Sequence, residues 1–151
     1  MATRRGDTEI RADCEKLADI FTTLQRCFLL HLSKELGRGK VSFPQYFLLG
    51  FLSQRSFFTM SEVAGKMGHT TAAATGLVDR LQILGFVERN HAVDDRRKIE
   101  VKITPAGTAL VKRVRDDMVQ SLMKLMRQLN TEEQKAWVQI YEKIITFVQH
   151  E

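Results

Sequence analysis

The sequence lacks a long hydrophobic run and contains few cysteines and prolines. No apolar run in its 151 residues reaches the roughly 18 residues that span a bilayer, so no transmembrane helix is expected. Residues 1–20 are charged and contain no hydrophobic segment typical of a secretory signal. The two cysteines, Cys14 and Cys27, are too few for a disulfide framework and favour a reducing compartment. We therefore expect a cytoplasmic protein without membrane contact.

The sequence also lacks a strongly charged segment. Its net charge is +5, and residues 1–40, 41–104 and 105–151 contain eight, eight and seven Lys/Arg against six Asp/Glu each. The overall basicity is therefore only weak evidence for a nucleic-acid partner. One local cluster is clearly basic, namely Arg96-Arg97-Lys98.

No arrangement typical of an enzyme is present. The sequence has no glycine-rich phosphate loop, no Ser/His/Asp arrangement and no nucleophile elbow. The four histidines are scattered and lack the spacing of metal ligands. We therefore predict that the protein is not an enzyme and that it uses no cofactor or metal.

Apolar residues recur at helical spacing in both terminal segments. Between Glu9 and about Leu36 they predict one long amphipathic helix. Thr104-Pro105 suits a helix N-cap and first turn, and an apolar stripe then runs from Leu110 to Leu129. A capping-box spacing from Thr131 to Gln134 predicts a final helix. Since a small central module cannot cover these wide apolar faces, we expect a homodimer.

The centre of the chain contains signals for short helices. Ser42 to Gln45 has capping-box spacing and opens a helix that is apolar nearly all round, which predicts burial on every side. Thr59 to Glu62 is another capping box, and Gly68 closes that helix. Thr70 can cap the next helix, which ends at Gly85-Phe86 in the manner of a Schellman motif. Two short helices joined by a turn of about three residues that contains glycine form the helix-turn-helix pattern.

The apolar period then changes from that of a helix to that of a strand. Residues 86–91 and 99–103 alternate apolar and polar side chains, which predicts an antiparallel β-hairpin with a polar tip. A hairpin directly after a helix-turn-helix makes a winged helix. We expect a mainly α-helical protein with a small β wing. Residues 41–104 would form the winged helix-turn-helix lobe, and residues 1–40 with 105–151 a helical dimerisation lobe.

The second helix of the motif is the candidate recognition helix. With Ala73, Ala74 and Leu77 turned inward, its outward face carries small residues that let the backbone approach phosphates closely. Threonine and alanine methyl groups suit contacts with thymine methyl groups in the major groove. A helix that faces only solvent would more commonly carry Glu and Lys, so the pattern favours DNA binding. The candidate DNA contacts are Thr70, Thr71, Ala72, Thr75, Gly76 and Arg80.

The wing supplies a second set of candidate contacts. An arginine at a narrow β-tip can enter a minor groove, and a nearby carboxylate can hold its guanidinium in place. A mixed-charge tip is usually a solvated turn, but its position after a helix-turn-helix favours the functional interpretation. The candidates on the wing are Arg89, Asp95, Arg96, Arg97 and Lys98.

The sequence resembles the MarR family of transcriptional regulators over nearly its whole length. The resemblance is carried by Leu77-Val78-Asp79-Arg80-Leu81, Leu84-Gly85-Phe86-Val87-Glu88-Arg89, Asp95-Arg96-Arg97 and Ile103-Thr104-Pro105-Ala106-Gly107. It places the Asp-x-Arg pattern of the family at Asp95 and Arg97, with Arg97 as the minor-groove residue, while Asp94-x-Arg96 remains a competing register. Gly76 departs from the family, since many members have an arginine or another long polar residue there.

The resemblance implies a homodimer whose two recognition helices enter successive major grooves of a pseudo-palindromic operator. We expect a repressor that a small aromatic or phenolic effector releases, with oxidation of Cys14 or Cys27 as a less favoured signal. A dimerising winged-helix module that binds other proteins, without a specific operator, is the alternative. A pocket for the effector could involve Phe21, Leu24, Phe43, Tyr46, Phe47, Val111 and Met118, although each of them is also suited to an ordinary core.

Overall fold

The structure is a computed structural model, which describes residues 6–38, 40–68, 70–92 and 98–150. Six helices and three short strands lie in these ranges, so the expected mainly helical fold with a small β wing is confirmed. In chain order they are α1 (Asp7–Arg38), α2 (Phe43–Leu52), β1 (Phe58–Thr59), α3 (Met60–Met67), α4 (Thr71–Ile83), β2 (Val87–His91), β3 (Ile99–Ile103), α5 (Pro105–Met126) and α6 (Thr131–Gln149). The chain divides into two compact units, the first ending at Val111 and the second beginning at Lys112.

Helix α1 extends about two residues beyond its predicted span at each end. The Gly6 carbonyl accepts hydrogen bonds from the backbone of Glu9 and Ile10 at 3.0 and 3.1 Å, and acidic residues in the first turn favour the helix dipole. Leu36 is buried at its other end, whereas most of its apolar stripe is exposed in the single chain. Cys14 is exposed too. The side chain of Cys27 lies outside the described residues.

The core of the first unit is built from α2, α3, α4 and the sheet. Helix α2 contributes one face to this core, and the expectation that it is buried on every side is wrong, because Phe47 on its other face is 54% exposed. The α2 capping box is present, with the Ser42 backbone N–H donating to Gln45 Oε1 at 2.8 Å. The largest fully buried side chains are Leu48, Leu49, Leu52, Val63, Val78, Leu81, Val101 and Leu110.

The three strands form an antiparallel sheet in the order β1-β3-β2. The predicted hairpin is confirmed, with Val87 opposite Ile103 and Arg89 opposite Val101. Strand β1 was not predicted, because two residues are too short for an alternating pattern. It pairs Phe58 with Val101 and so holds the start of α3 against the base of the wing.

The caps of α5 and α6 settle where these helices begin. As predicted, Thr104 caps α5, since its Oγ1 accepts from the Gly107 backbone N–H at 3.2 Å. Helix α5 ends at Met126, so Leu129 lies in the following turn and not on the predicted helical stripe. The N-cap of α6 is Asn130 and not Thr131, because its Oδ1 accepts two backbone N–H groups, those of residues 132 and 133, at 3.0 Å each.

The second unit leaves a wide apolar surface uncovered in the single chain. No residue of α6 is buried, and a groove of about 360 Å³ lies between α5 and α6. Its lining includes Leu122, Trp137, Tyr141 and Ile145. Within the described residues, no helix is both long and apolar enough to span a membrane.

Candidate nucleic-acid interface

Helix α3 begins with a capping box that sets the geometry of the helix-turn-helix. The Thr59 backbone N–H donates to Glu62 Oε2 at 2.7 Å, and the Glu62 N–H donates to Thr59 Oγ1 at 3.3 Å. At its other end Gly68 takes the left-handed conformation, with φ at 62°. Both signals were predicted from the sequence, and they bring the chain directly to the start of α4.

Arg55 strengthens this capping box from outside the helix. Its guanidinium pairs with Glu62 and lies over the Phe58 ring, 3.9 Å from the centroid. The hydrogen bond from the Thr59 backbone, followed by that from Arg55, lowers the pKa of Glu62 to about 2. Glu62 is therefore ionised at neutral pH and anchors the start of α3.

The structure rotates the inward face of α4 relative to the prediction. Ala74, Val78 and Leu81 are buried, whereas Ala73 is exposed and Leu77 is only half-buried. The expectation that Ala73 faces the core is wrong, because the larger Val78 takes the core position and buries more apolar surface. The exposed residues of α4 include Thr71, Ala72, Ala73, Gly76, Asp79, Arg80 and Ile83.

The two threonines at the start of α4 differ from Thr75 in what their hydroxyls do. Thr70 is exposed and caps the helix by accepting from the Ala73 N–H at 3.3 Å, while Thr71 is exposed in the first turn. Thr75 is half-buried, and its hydroxyl donates to the Thr71 carbonyl at 2.8 Å. The helix start is thus presented to solvent, but Thr75 is less accessible than predicted.

Gly76 lies on the exposed face of α4, and packing does not require it. A Cβ at this position would meet no atom within 4 Å, and its φ is not in the left-handed region. Because glycine weakens a helix interior, its presence here is a feature that the fold alone does not explain.

The structure describes only part of the wing. Asp95, Arg96 and Arg97 lie outside the described residues, so their predicted contacts stay predictions. Lys98 is exposed, and its carbonyl accepts from the Ala92 N–H at 2.9 Å, which closes the hairpin just below the tip.

The Arg89 side chain does not point away from the protein, although a phosphate contact would require that direction. Its guanidinium pairs with Asp79 and donates to the Thr75 carbonyl at 3.1 Å, so it joins β2 to α4. The role of Asp79 was not predicted from the sequence. The available signal was the position of Arg89 two residues after Val87, which places both side chains on the same face of the strand.

The structure brings together only some of the residues that were candidates for the effector pocket. The Phe43 and Phe47 rings meet edge to face at 4.6 Å, with Tyr46 next to Phe47 at 6.4 Å. The groove between α5 and α6 is lined by other residues. Among the described residues, no group of three His, Cys, Asp or Glu side chains could hold a metal ion.

A helix-turn-helix followed by a β-hairpin, with a solvent-exposed second helix, defines a winged-helix protein of the DNA-binding type. A family model described as the MarR family matches residues 40–98. Residues 40–98 therefore belong to the MarR family, and the curated relatives are described as transcriptional regulators, which agrees with the prediction of a regulator and not an enzyme.

One curated relative agrees with this assignment, and two solved structures share the fold. YfiV of Bacillus subtilis (strain 168), described as an uncharacterized HTH-type transcriptional regulator, is 32% identical over 102 residues, which cover 68% of this chain and 62% of YfiV. The crystal structure of YusO from B. subtilis has a TM-score of 0.78 at 21% identity and covers 94% of this chain and 99% of its own. A mutant of S. aureus MepR bound to an oligodeoxyribonucleotide has a TM-score of 0.69 at 19% identity. The match covers 87% of this chain and 97% of the MepR chain.

Proposed function

We propose that the protein is a homodimeric, sequence-specific DNA-binding regulator that represses transcription from a pseudo-palindromic operator. The observation that carries this proposal is the first half of α4, whose exposed residues Thr71, Ala72, Ala73 and Gly76 are all small, at the position of a recognition helix. Such a face allows the helix backbone to approach base edges and phosphates closely. The structural similarity to a DNA-bound MepR supports the same use of the fold.

The contacts we propose on DNA divide between α4 and the wing. Thr70 and Thr71 lie at the helix N-terminus, where exposed hydroxyls and the helix dipole suit phosphate contacts. Arg80 adds an exposed positive charge further along the helix. On the wing, we propose that Arg97 enters the minor groove and that Lys98 contacts a phosphate.

We propose that residues 1–40 and 105–151 hold two copies together. The exposed apolar side chains of α6, among them Ile144 and Phe147, support this proposal, because a single chain leaves them in water. A two-fold dimer would present two copies of α4 about one DNA turn apart, roughly 34–36 Å, which matches a pseudo-palindromic operator. The protein would act in the cytoplasm.

We further propose that a small aromatic or phenolic effector releases the repressor. The aromatic cluster of Phe43, Tyr46 and Phe47 supports an aromatic ligand, because another aromatic ring can pack against these rings. The measurement is operator affinity by fluorescence anisotropy with salicylate as the first probe. The operator affinity of the wild type should fall as the salicylate concentration rises, and that of Phe47→Ala should fall less. An operator affinity that does not change at saturating salicylate would contradict release by an aromatic effector.

Operator recognition is tested with DNA fragments selected from the source genome by the full-length protein. In fluorescence anisotropy at matched salt, a selected fragment should bind about 1,000-fold or more tightly than scrambled DNA of equal length. Equal affinity for both would contradict the proposal and favour the alternative, a dimerising protein-interaction module without an operator.

The wing contact is tested by comparing Arg97→Ala with Arg96→Ala, since the two registers of the Asp-x-Arg pattern make opposite predictions. Arg97→Ala should weaken operator binding more strongly, whereas Arg11→Ala, an exposed arginine of α1, serves as the charge-matched control. If Arg97→Ala binds like the wild type throughout a salt titration, the wing does not insert Arg97.

A further inference from the structure

Strand β2 carries a charged residue on the side that faces the helices. Val87 and Arg89 share this side, and Arg89 lies opposite the fully buried Val101 in the sheet register. The Arg89 side chain is only 21% exposed. A guanidinium at such a position loses contact with water and must find partners within the protein.

The partners of Arg89 lie on α4, and two of its nitrogens reach them. Nη1 donates to the Asp79 carboxylate and Nη2 donates to the Thr75 carbonyl at 3.1 Å, across 10 and 14 residues of sequence. Nε is buried and has no acceptor among the described residues. The guanidinium is therefore directed inward, with both terminal nitrogens bound to α4, and its charge faces Asp79 instead of solvent.

This contact has two consequences for a helix that meets DNA. The Asp79 carboxylate lies on the exposed face of α4, where unpaired negative charge would repel phosphates, and Arg89 neutralises it. The planar guanidinium also fixes the direction of β2 relative to α4, because it binds two acceptors one helical turn apart at once. A lysine ammonium carries the same charge but lacks the planar set of N–H groups that binds two acceptors at once.

Building on the proposed function, we infer that Arg89 is a positioning residue that joins the wing to the recognition helix through Asp79 and Thr75, and is not a phosphate ligand. It sets the angle at which the wing meets DNA when α4 occupies the major groove. Operator affinity then depends on Arg89 more strongly than general attraction to the DNA backbone does.

The test uses full-length Arg89→Met, Arg89→Lys and Asp79→Asn, with the selected operator and a scrambled duplex as probes across a range of KCl concentrations. Arg89→Met should lose about tenfold in operator affinity, as expected for a coupled pair, and clearly less on scrambled DNA, where only the unpaired Asp79 charge opposes binding. The slope of log K against log salt should stay that of the wild type. Arg89→Lys should not restore affinity, although it restores the charge.

The Asp79→Asn change supplies the coupling measurement. In the Arg89→Met background, Asp79→Asn should raise operator affinity, because the change removes a carboxylate that has lost its partner. In the wild type, the same change should lower operator affinity. A phosphate ligand gives the opposite set of results. Arg89→Met would then reduce the salt slope by about 0.9, lower both affinities equally and be rescued by Arg89→Lys, and this set would overturn the inference.

Hydrogen exchange without DNA separates this inference from the proposed function. Arg89→Met should speed amide exchange in β2 and α4 relative to α2, and unchanged exchange there would overturn the positioning role. If wild-type protein binds operator and scrambled DNA equally, the proposed function fails. The role in DNA recognition then fails with it, and the exchange data alone decide whether Arg89 joins β2 to α4.

Discussion

Gly107, in the first turn of α5, lies directly against the backbone of Phe86. A Cβ at position 107 would clash with the Phe86 carbonyl oxygen and would come within 2.8 Å of Ile103 Cγ1. The Thr104 N–H donates to the same carbonyl at 3.0 Å, and the Thr104 hydroxyl donates to the Gly85 carbonyl at 2.7 Å. The start of α5 therefore packs closely against the backbone of Phe86, which cannot move aside as a side chain can.

Gly107→Ala should destabilise the protein by about 1–3 kcal/mol, because a methyl group must displace backbone atoms. The measurement is the free energy of unfolding in urea at fixed protein concentration. Gly65→Ala is the matched control, since a Cβ at position 65 meets nothing within 4 Å. An unfolding midpoint for Gly107→Ala equal to that of the wild type would show that this close approach is absent in solution.

Gly76→Ala should act in the opposite direction on stability. The new Cβ meets open space, and alanine favours the helix over glycine by about 0.5–1 kcal/mol. If α4 approaches DNA closely at this position, the same change should weaken operator binding. Thermal unfolding and anisotropy on the same sample measure both effects. A variant that is more stable and binds the operator normally would show that Gly76 does not face the groove.

Glu62 makes the start of α3 sensitive to acid. Its pKa in the folded protein is about 2, below the ordinary value of 4.5, so the ion pair and capping bonds stabilise the fold above pH 4.5. This contribution declines as the pH falls from 4.5 towards 2. Because the side chain is 42% exposed, we expect it to be less than about 1 kcal/mol.

Urea unfolding of wild type and Glu62→Gln at several pH values measures this contribution. The wild type should be the more stable protein at pH 7, and the difference should shrink on acidification below pH 4.5. Glu88→Gln provides a comparison, as Glu88 is an exposed carboxylate of β2. A difference that is constant down to pH 3 would show that the Glu62 charge contributes nothing to the cap.

The proposed dimer depends on the apolar face of α6. Ile144→Glu places a charge on that face and should weaken association at least about 100-fold, because a buried unpaired charge costs several kcal/mol. Sedimentation velocity over a range of concentrations gives the dissociation constant. Gln139→Glu introduces the same residue about 140° away around the helix and should leave association unchanged. A monomeric wild type, or equal association of both variants, would contradict the role of this face.

Much of the local structure was predictable because its signals lie within a few residues. The Thr59 to Glu62 capping box, the Gly68 cap and the Gly85 Schellman end are all present as expected, since each depends on one helix turn. Errors arose where two local solutions compete. Asn130 and Thr131 both suit an N-cap, and the side-chain bonds to the backbone selected Asn130.

The sequence by itself determined the order of the six helices and of strands β2 and β3, and the helix-turn-helix with its wing. Periodicity and capping residues specify these features without knowledge of any distant contact. Only the tertiary structure decided that Arg89 turns inward to Asp79, that β1 joins the sheet and that Gly107 meets Phe86. These contacts join residues 10 to 43 positions apart. Such pairs depend on how helices and strands pack against one another. Because the packing energy is shared among many residues, the sequence of one segment does not predict these pairs.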